Sequence, residues 1–308
     1  MISGEYAVLH GAEALVAAVD RRAFARRHAP NDPGPPLPAE ARAAWGEAAG
    51  PTQAPGEPSV DVSSMRVGAL KLGLGSSAAA AAAAAGLALA EQGVDIESSA
   101  GRARALNAAL RGHRAIAPQG SGADVAAAVL GGFVRFRKLG DAVETHAIDW
   151  PRTLRVRVVW TGQEARTSTY LALVDRLAAE NPAQHRALMH TLGSEADRFV
   201  SAVVAVDTAA IIESTAAYGE AMGALGRAAG ADIVNDTLAR VAQLAAQVGG
   251  AAKPSGAGGG DVALAILPDA AAEAQFSGLC SEHNFTVLLI EWGAAGVRVE
   301  RAPRSEVV

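Results

Sequence analysis

The chain has 308 residues, half of them apolar, 19% charged and 4% aromatic, with a net charge of −5 and a single cysteine. At roughly 100–200 residues per domain that is a folded protein of about two domains, without the basic surface that nucleic acid or an anionic membrane attracts. The lone Cys280 excludes an intrachain disulfide and a cysteine-rich zinc site, and between Phe276, Leu279 and their neighbours it reads as a buried thiol.

The chain opens Met1-Ile2-Ser3-Gly4-Glu5-Tyr6, without the basic and apolar regions of a signal peptide. Residues 74–90, the longest weakly apolar stretch, read as a buried helix and not a membrane span. A cytoplasmic chain with no membrane partner is expected. Residues 2–9 alternate as a strand, and 14–19 form a second apolar run. Residues 28–60 are rich in Pro, Gly and Ala, which predicts an exposed excursion, solvated loop or lid, with a short helix over 39–48.

Residues 60–71 read as a strand, followed by a helix through the eight alanines 78–85. Helices are expected over 97–111 and over 124–130, the latter closed by Gly131-Gly132. Residues 133–138 and 147–150 predict a hairpin or meander, and the first domain ends near Pro151. Residues 154–160 alternate as a strand, and 168–248 are nearly all helical, with breaks near Asn181-Pro182, Gly193, Ala231-Asp232 and Gly249-Gly250. A strand over 262–267, a helix over 270–280 and strands over 285–291 and 297–301 complete the expected order.

Three glycine-rich sites carry the chemistry. The first, Lys71-Leu72-Gly73-Leu74-Gly75-Ser76-Ser77-Ala78-Ala79, stands at a strand-to-helix junction. Glycines let the backbone approach an anion, and the amides and positive dipole end of the helix bind phosphate. The same residues fit a plain tight turn, or a degenerate dinucleotide fingerprint with Asp95 or Glu97 following it. No Gly-Lys-Ser/Thr closes it as a Walker loop. The second, Gly120-Ser121-Gly122-Ala123-Asp124, offers Asp124 either as a helix N-cap or as a carboxylate near a phosphoryl acceptor. The third, Lys253-Pro254-Ser255-Gly256-Ala257-Gly258-Gly259-Gly260-Asp261, is costly in backbone entropy. It is either a hinge or a loop whose backbone something packs against.

In this order, Gly4-Glu5-Tyr6-Ala7-Val8-Leu9, Gly73–Ala79 and Gly256–Gly260 resemble the three motifs of the GHMP small-molecule kinases. The resemblance runs through essentially the whole chain, whereas the dinucleotide reading leaves the third loop unexplained. Lys71-Leu72 before the loop, Val60-Asp61-Val62-Ser63-Ser64 upstream, Trp160-Thr161-Gly162 with Ala165 and Thr167-Ser168-Thr169, and Asp261 are most similar to the phosphomevalonate kinase branch, ahead of mevalonate kinases. Ser121-Gly122-Ala123-Asp124-Val125-Ala126 also suits that branch.

The resemblance implies an α+β fold. Its N-terminal domain, 1–151, would be like the second domain of ribosomal protein S5, and its C-terminal domain, 152–308, ferredoxin-like and rich in helices. It implies an ATP- and Mg²⁺-dependent phosphotransferase converting 5-phosphomevalonate to 5-diphosphomevalonate. Mevalonate or another small alcohol is the alternative acceptor, and a catalytically impaired ligand-binding relative is the alternative of another class. ATP phosphates are expected along Lys71, Gly73, Leu74, Gly75, Ser76, Ser77 and Ala78, with Ser77 on the metal and Asp124 catalytic. The small-molecule acceptor is expected on Glu5, Tyr6, His10, Ser121, Gly122, Thr169, Lys253, Ser255, Gly256, Ala257, Gly258 and Gly259, with the 255–259 loop closing over it or over the phosphates. Lys71, Arg114, Arg135, Arg137, Arg166 and Lys253 are the candidate cations for a phosphorylated acid, each otherwise a solvated charge; His10 and His113 contact substrate or are structural. A homodimer is left open.

Family members carry a strand reading Ala-Pro-Gly-Lys-Leu before the Gly-Glu-Tyr segment, and its lysine assists transfer. Here Met1-Ile2-Ser3 stands directly before Gly4. A start codon assigned about ten residues late is expected, as is reduced activity of the chain as given.

Overall fold

The computed structural model describes residues 1–27, 36–50, 57–68, 70–162 and 167–300. These mix helices with antiparallel sheets, an α+β fold, and divide into two compact units interleaved along the chain. The first comprises Met1–Arg21, Met65–Leu74 and Gly132–Ala294; the second comprises Arg22–Ser64, Gly75–Gly131 and the chain from Ala295. No helix among the described residues is long and apolar enough to cross a membrane.

The first unit contains a three-stranded sheet of β1 (Glu13–Ala17), β6 (Phe133–Leu139) and β7 (Ala142–Ile148), with β6 central. Leu15 pairs opposite Arg135 and Val16 opposite Val134, so the apolar run of β1 is sealed by the first strand of the expected hairpin. Residues 2–9 are not the strand their alternation predicts. Only Ser3 bridges to Leu15; the chain then turns through Gly4 (φ 107°) and Tyr6 (φ 62°) into a 3-10 helix, Ala7–His10. Gly4 is required there, since a Cβ would strike Ala14.

A four-stranded antiparallel sheet, in the order β11 (Thr286–Leu288), β8 (Arg155–Trp160), β10 (Val262–Leu267) and β9 (Ala251–Ser255), forms the unit's second layer. Every residue of β10 is buried, which is why this strand reads as an unbroken apolar run. Helices α5 (Thr167–Glu180), α6 (Pro182–Val204), α7 (Thr208–Ala229), α8 (Asp236–Gln247) and α9 (Ala270–Glu282) complete it. The break expected at Gly193 does not occur. One interior glycine costs about 1 kcal/mol, and α6 buries Met189, Leu192, Ala196 and Phe199 around it. The actual break is at Val206 (φ 56°), after which the Asp207 carboxylate caps α7 by accepting from Ala210 N–H. The strand expected over 60–71 is also broken up. Ser63–Met65 is a 3-10 turn, and β4 (Arg66–Val67) folds back on β5 (Leu70–Lys71).

Cys280 is fully buried on α9, and burial pushes its thiol up to about 11. The shift is upward from an ordinary 9.0, so its contribution to stability is complete below about pH 9 and lost as pH rises to about 11. A thiol reagent at pH 8 is expected to label the denatured chain and leave the native one unlabelled.

The second unit packs α1 (Ala39–Ala49), α2 (Ser76–Glu91), α3 (Ser99–Ile116) and α4 (Ala123–Leu130) with a small ribbon of β2 (Phe24–Arg26) and β3 (Ser59–Asp61). The alanines of α2 are spent here. Ala78, Ala80, Ala81, Ala82, Ala84, Ala85 and Ala88 are buried around most of its circumference, and Ala80, Ala84 and Ala88 meet Ala41, Trp45 and Val60. Small side chains let α2 approach α1 closely beside Trp45. No strand forms over 297–300; Val297 N–H instead donates to Val129 O.

Candidate functional site

Along the chain the glycine-serine loop passes from the first unit to the second at Leu74-Gly75. In the second unit Gly75 (φ 78°) is the N-cap of α2, and no side chain caps the helix. Its first turn contains no acid and begins with the half-buried Ser76 and Ser77. Amides and hydroxyls therefore stand at the positive end of the dipole, the arrangement that suits an anion.

Asp124 faces that terminus. It is not the N-cap of α4, a role held by Gly122 (φ 83°), but stands in the first turn, exposed. Its Oδ1 accepts from Val125 N–H at 3.0 Å. A Cβ built on Gly75 would lie 3.5 Å from Asp124 Cβ and 3.9 Å from Oδ2, so the carboxylate borders the loop backbone. Ser121 Oγ accepts from Ala123 N–H, and Gly122 lies against Leu110 with no room for a side chain. His113, on α3, is buried beside Gly120 with Nδ1 unpartnered. Among the described residues no cluster of three or more His, Cys, Asp or Glu forms a metal site. The hydroxyl of Ser77 and the carboxylate of Asp124 are hard oxygen donors that suit a Mg²⁺ carried mainly by phosphate oxygens.

In the first unit Lys71 is exposed at the end of β5. Gly73 (φ 71°) lies against Asp261: a Cβ there would come within 2.5 Å of Asp261 Cβ and 3.0 Å of Oδ2. Asp261 is held in the left-handed region (φ 49°), its carbonyl accepting Thr161 N–H at 3.0 Å and Thr161 Oγ1–H at 3.1 Å. Gly73→Ala is expected to destabilise the chain by roughly 1–3 kcal/mol through backbone strain and crowding. Adding Asp261→Gly should restore the crowding part, as read from paired thermal melts.

The loop between β9 and β10 is tied to the front of the chain. Lys253 Nζ donates to Glu5 Oε1 at 2.5 Å and to Pro254 O at 3.0 Å, both charged groups fully inside. Burial pushes the Lys253 ammonium below its ordinary value, against the pull of Glu5. Tyr218 OH donates to Glu5 O at 2.7 Å and its ring lies 5.3 Å from Lys253 Nζ. Tyr6 OH donates to Ala257 O at 2.5 Å; burial, then Glu5 and Tyr170, raise the Tyr6 phenol well above its usual range. Further along, Gly258 abuts Ile233, Gly259 N–H donates to Ile233 O at 2.8 Å, and Tyr170 fills the space beside Gly259. At Gly256 (φ 89°), by contrast, the Cβ position meets nothing within 4 Å.

Two expectations change here. Glu5 and Lys253, expected on the acceptor, spend their charges on each other. The loop expected to close is already held at Ala257, Gly258 and Gly259 by its own unit. Thr169 is exposed on α5 next to Tyr170. His10 stands edge-on to His185 at 5.4 Å, and burial followed by that neighbour lowers its basicity. Arg135 pairs with Glu13, and Arg137 donates to Gly11 O. Ala165 and Arg166 lie outside the described residues. Sequence reasoning missed Tyr170, Tyr218 and Ile233. A signal was present: the chain has three tyrosines, and all of them converge on this loop and on Glu5.

A family profile described as GHMP kinases C terminal matches residues 209–284, which contain Lys253 and the whole third loop. A curated relative, phosphomevalonate kinase of Streptomyces sp. (strain CL190), is 28% identical over 58% of this chain; the match spans about half of that relative, 51%. Among solved structures, Lin0012 of Listeria innocua superposes with a TM-score of 0.83 at 20% identity, covering 95% of each chain. Streptococcus pneumoniae phosphomevalonate kinase, in complex with phosphomevalonate and AMPPNP, superposes with a TM-score of 0.71 at 19% identity, covering 94% of this chain and 96% of that one. With the three motifs in order, the C-terminal match over residues 209–284 and the shared fold, the chain is similar to the GHMP kinases, the phosphomevalonate kinases among them.

Proposed function

We propose that the chain is an ATP-dependent kinase that phosphorylates 5-phosphomevalonate to 5-diphosphomevalonate. The observation that carries this is the uncapped, acid-free start of α2 behind Gly75, with the Asp124 carboxylate beside it. The Streptomyces relative and the ligands named for the Streptococcus structure support the choice of acceptor and nucleotide.

In this reading Gly73, Gly75, Ser76, Ser77 and Ala78 hold the phosphates, with Lys71 adding charge. Ser77 is the protein's oxygen on Mg²⁺, which when bound neutralises charge on the transferring phosphoryl group. Asp124 orients the acceptor. A phosphate acceptor has its second pKa near 6 and is largely ionised at neutral pH, so little remains for a base to remove. The work of the chain is then positioning and charge placement. His10, Ser121, Gly122, Thr169 and Ser255–Gly259 remain acceptor candidates, while Glu5, Lys253 and Tyr6, whose hydroxyl is taken by Ala257 O, support the loop from behind. We take 1–151 and 152–308 as the functional halves carrying the phosphate loop and the third loop.

ATP consumption measured against 5-phosphomevalonate, mevalonate and homoserine tests the reading. Turnover confined to 5-phosphomevalonate is expected. Preference for mevalonate overturns the acceptor, and a ligand-dependent thermal shift without any turnover favours a binding protein.

A further inference from the structure

The most costly group that the proposed chemistry leaves unused is the Glu5–Lys253 pair. Its two side chains are 2% and 0% exposed, and Glu5 Oε2 is buried with no hydrogen-bond partner. Taking both charges out of water is expensive, and well-packed apolar residues of similar volume often serve stability as well or better. An orphaned buried acceptor adds to that cost. Stability alone is therefore a poor account of the pair, and its connections offer a better one.

Lys253, Ser255, Gly256 and Ala257 each hold a separate link to the first six residues. Lys253 Nζ bonds Glu5, Ser255 Oγ donates to Met1 O at 2.7 Å, Gly256 N–H points at Glu5 Oε1 at 3.5 Å, and Ala257 O takes the Tyr6 hydroxyl. Tyr218 seats the clamp by bonding the Glu5 carbonyl. An ion pair with this geometry is directional where an apolar contact is not. It fixes the end of β9 and the first glycine of the loop while leaving the Cα face of Gly256 open.

We propose that the Met1–Tyr6 segment is a positioning clamp that preforms the glycine-rich loop, with the buried Glu5–Lys253 pair as its fixed point. Glu5, Tyr6 and Lys253 are then positioning residues, and Gly256 is where the loop backbone is left accessible. Only the kinetic part of the test rests on the kinase reading.

The test compares wild type with Glu5→Gln/Lys253→Met, which removes both charges together and leaves none stranded, and with Tyr6→Phe, which removes one hydroxyl and no charge. Amide hydrogen exchange over residues 255–260 is followed by mass spectrometry on the full chain without ligand. The double variant is expected to remain folded and to exchange about tenfold faster there, with β10 unchanged. Tyr6→Phe is expected to show a smaller acceleration in the same segment. With 5-phosphomevalonate, the double variant should raise the acceptor KM about tenfold and change kcat less. Unchanged exchange in a folded double variant overturns the clamp. If the double variant does not fold, unchanged exchange in Tyr6→Phe overturns it instead. Should wild type fail to turn over 5-phosphomevalonate, the kinase reading falls while the exchange result still decides the clamp.

Discussion

Replacing Ser77 by aspartate is expected to lower nucleotide affinity at least a hundredfold while leaving the fold as stable as before, or slightly more so. The two effects separate because they have different physical origins. Ser77 stands in the first turn of α2, where no side chain caps the helix and no acid is present. A carboxylate there complements the positive end of the dipole and should add about 0.3–1 kcal/mol to helix stability. It also occupies the place proposed for a phosphate. One charge-assisted hydrogen bond, worth about 1.5–3 kcal/mol, is lost. A like charge at about 4 Å adds repulsion of roughly 4 kcal/mol at an effective dielectric constant near 20. Together these exceed the ~2.8 kcal/mol that a hundredfold loss requires. Without Mg²⁺, where the proposed metal contact of Ser77 plays no part, Ser77→Ala loses only the hydrogen bond and should fall by about tenfold. Calorimetric titration with a non-hydrolysable ATP analogue in Mg²⁺-free buffer, beside thermal melts, reads both quantities. Unchanged affinity in Ser77→Asp removes the phosphates from this helix terminus.

The glycine-serine end of the candidate site was legible because its signals are local. Gly75 before an alanine run announces a helix start, and the helix spans Ser76–Glu91. Strands β8 and β10 follow their residue patterns for the same reason. The failures are all tertiary. The alternation over 2–9 is real, but Gly4 and Tyr6 turn the chain away after Ser3. Gly193 is tolerated inside α6 because the buried residues on either side outweigh its propensity. Lys253 is where sequence and structure differ most: it is buried and paired with Glu5. Beside a glycine loop a lysine suggests an anion, and nothing in Lys253-Pro254-Ser255 names a partner 248 positions away. Its setting in a run of small buried residues, Ala251, Ala252 and Pro254, was the available warning. Asp124 shows the reverse case. Its place before an apolar run suits an N-cap, yet Gly122 takes the cap and frees the carboxylate to border Gly75.

Asp124→Asn distinguishes the two jobs a carboxylate can do in this position. A general base supplies about 10²–10⁴-fold. Asn keeps the size of the side chain and an oxygen that can accept Val125 N–H, so the local geometry of α4 should survive. If the acceptor arrives as an ionised phosphate, the variant loses charge placement and orientation but no proton-transfer step. A fall in kcat of about tenfold is then expected, short of the base range, with nucleotide affinity unchanged. The pH dependence sharpens the test. The ionisation that creates the nucleophile belongs to the acceptor, so kcat/KM should rise with pH through about 6 in wild type and variant alike. Loss of Asp124 should lower the curve without moving its inflection. A removed or displaced inflection, or abolished turnover with intact ATP binding, would instead make Asp124 the base and point to a hydroxyl acceptor. That outcome would return mevalonate, or another small alcohol, as the substrate.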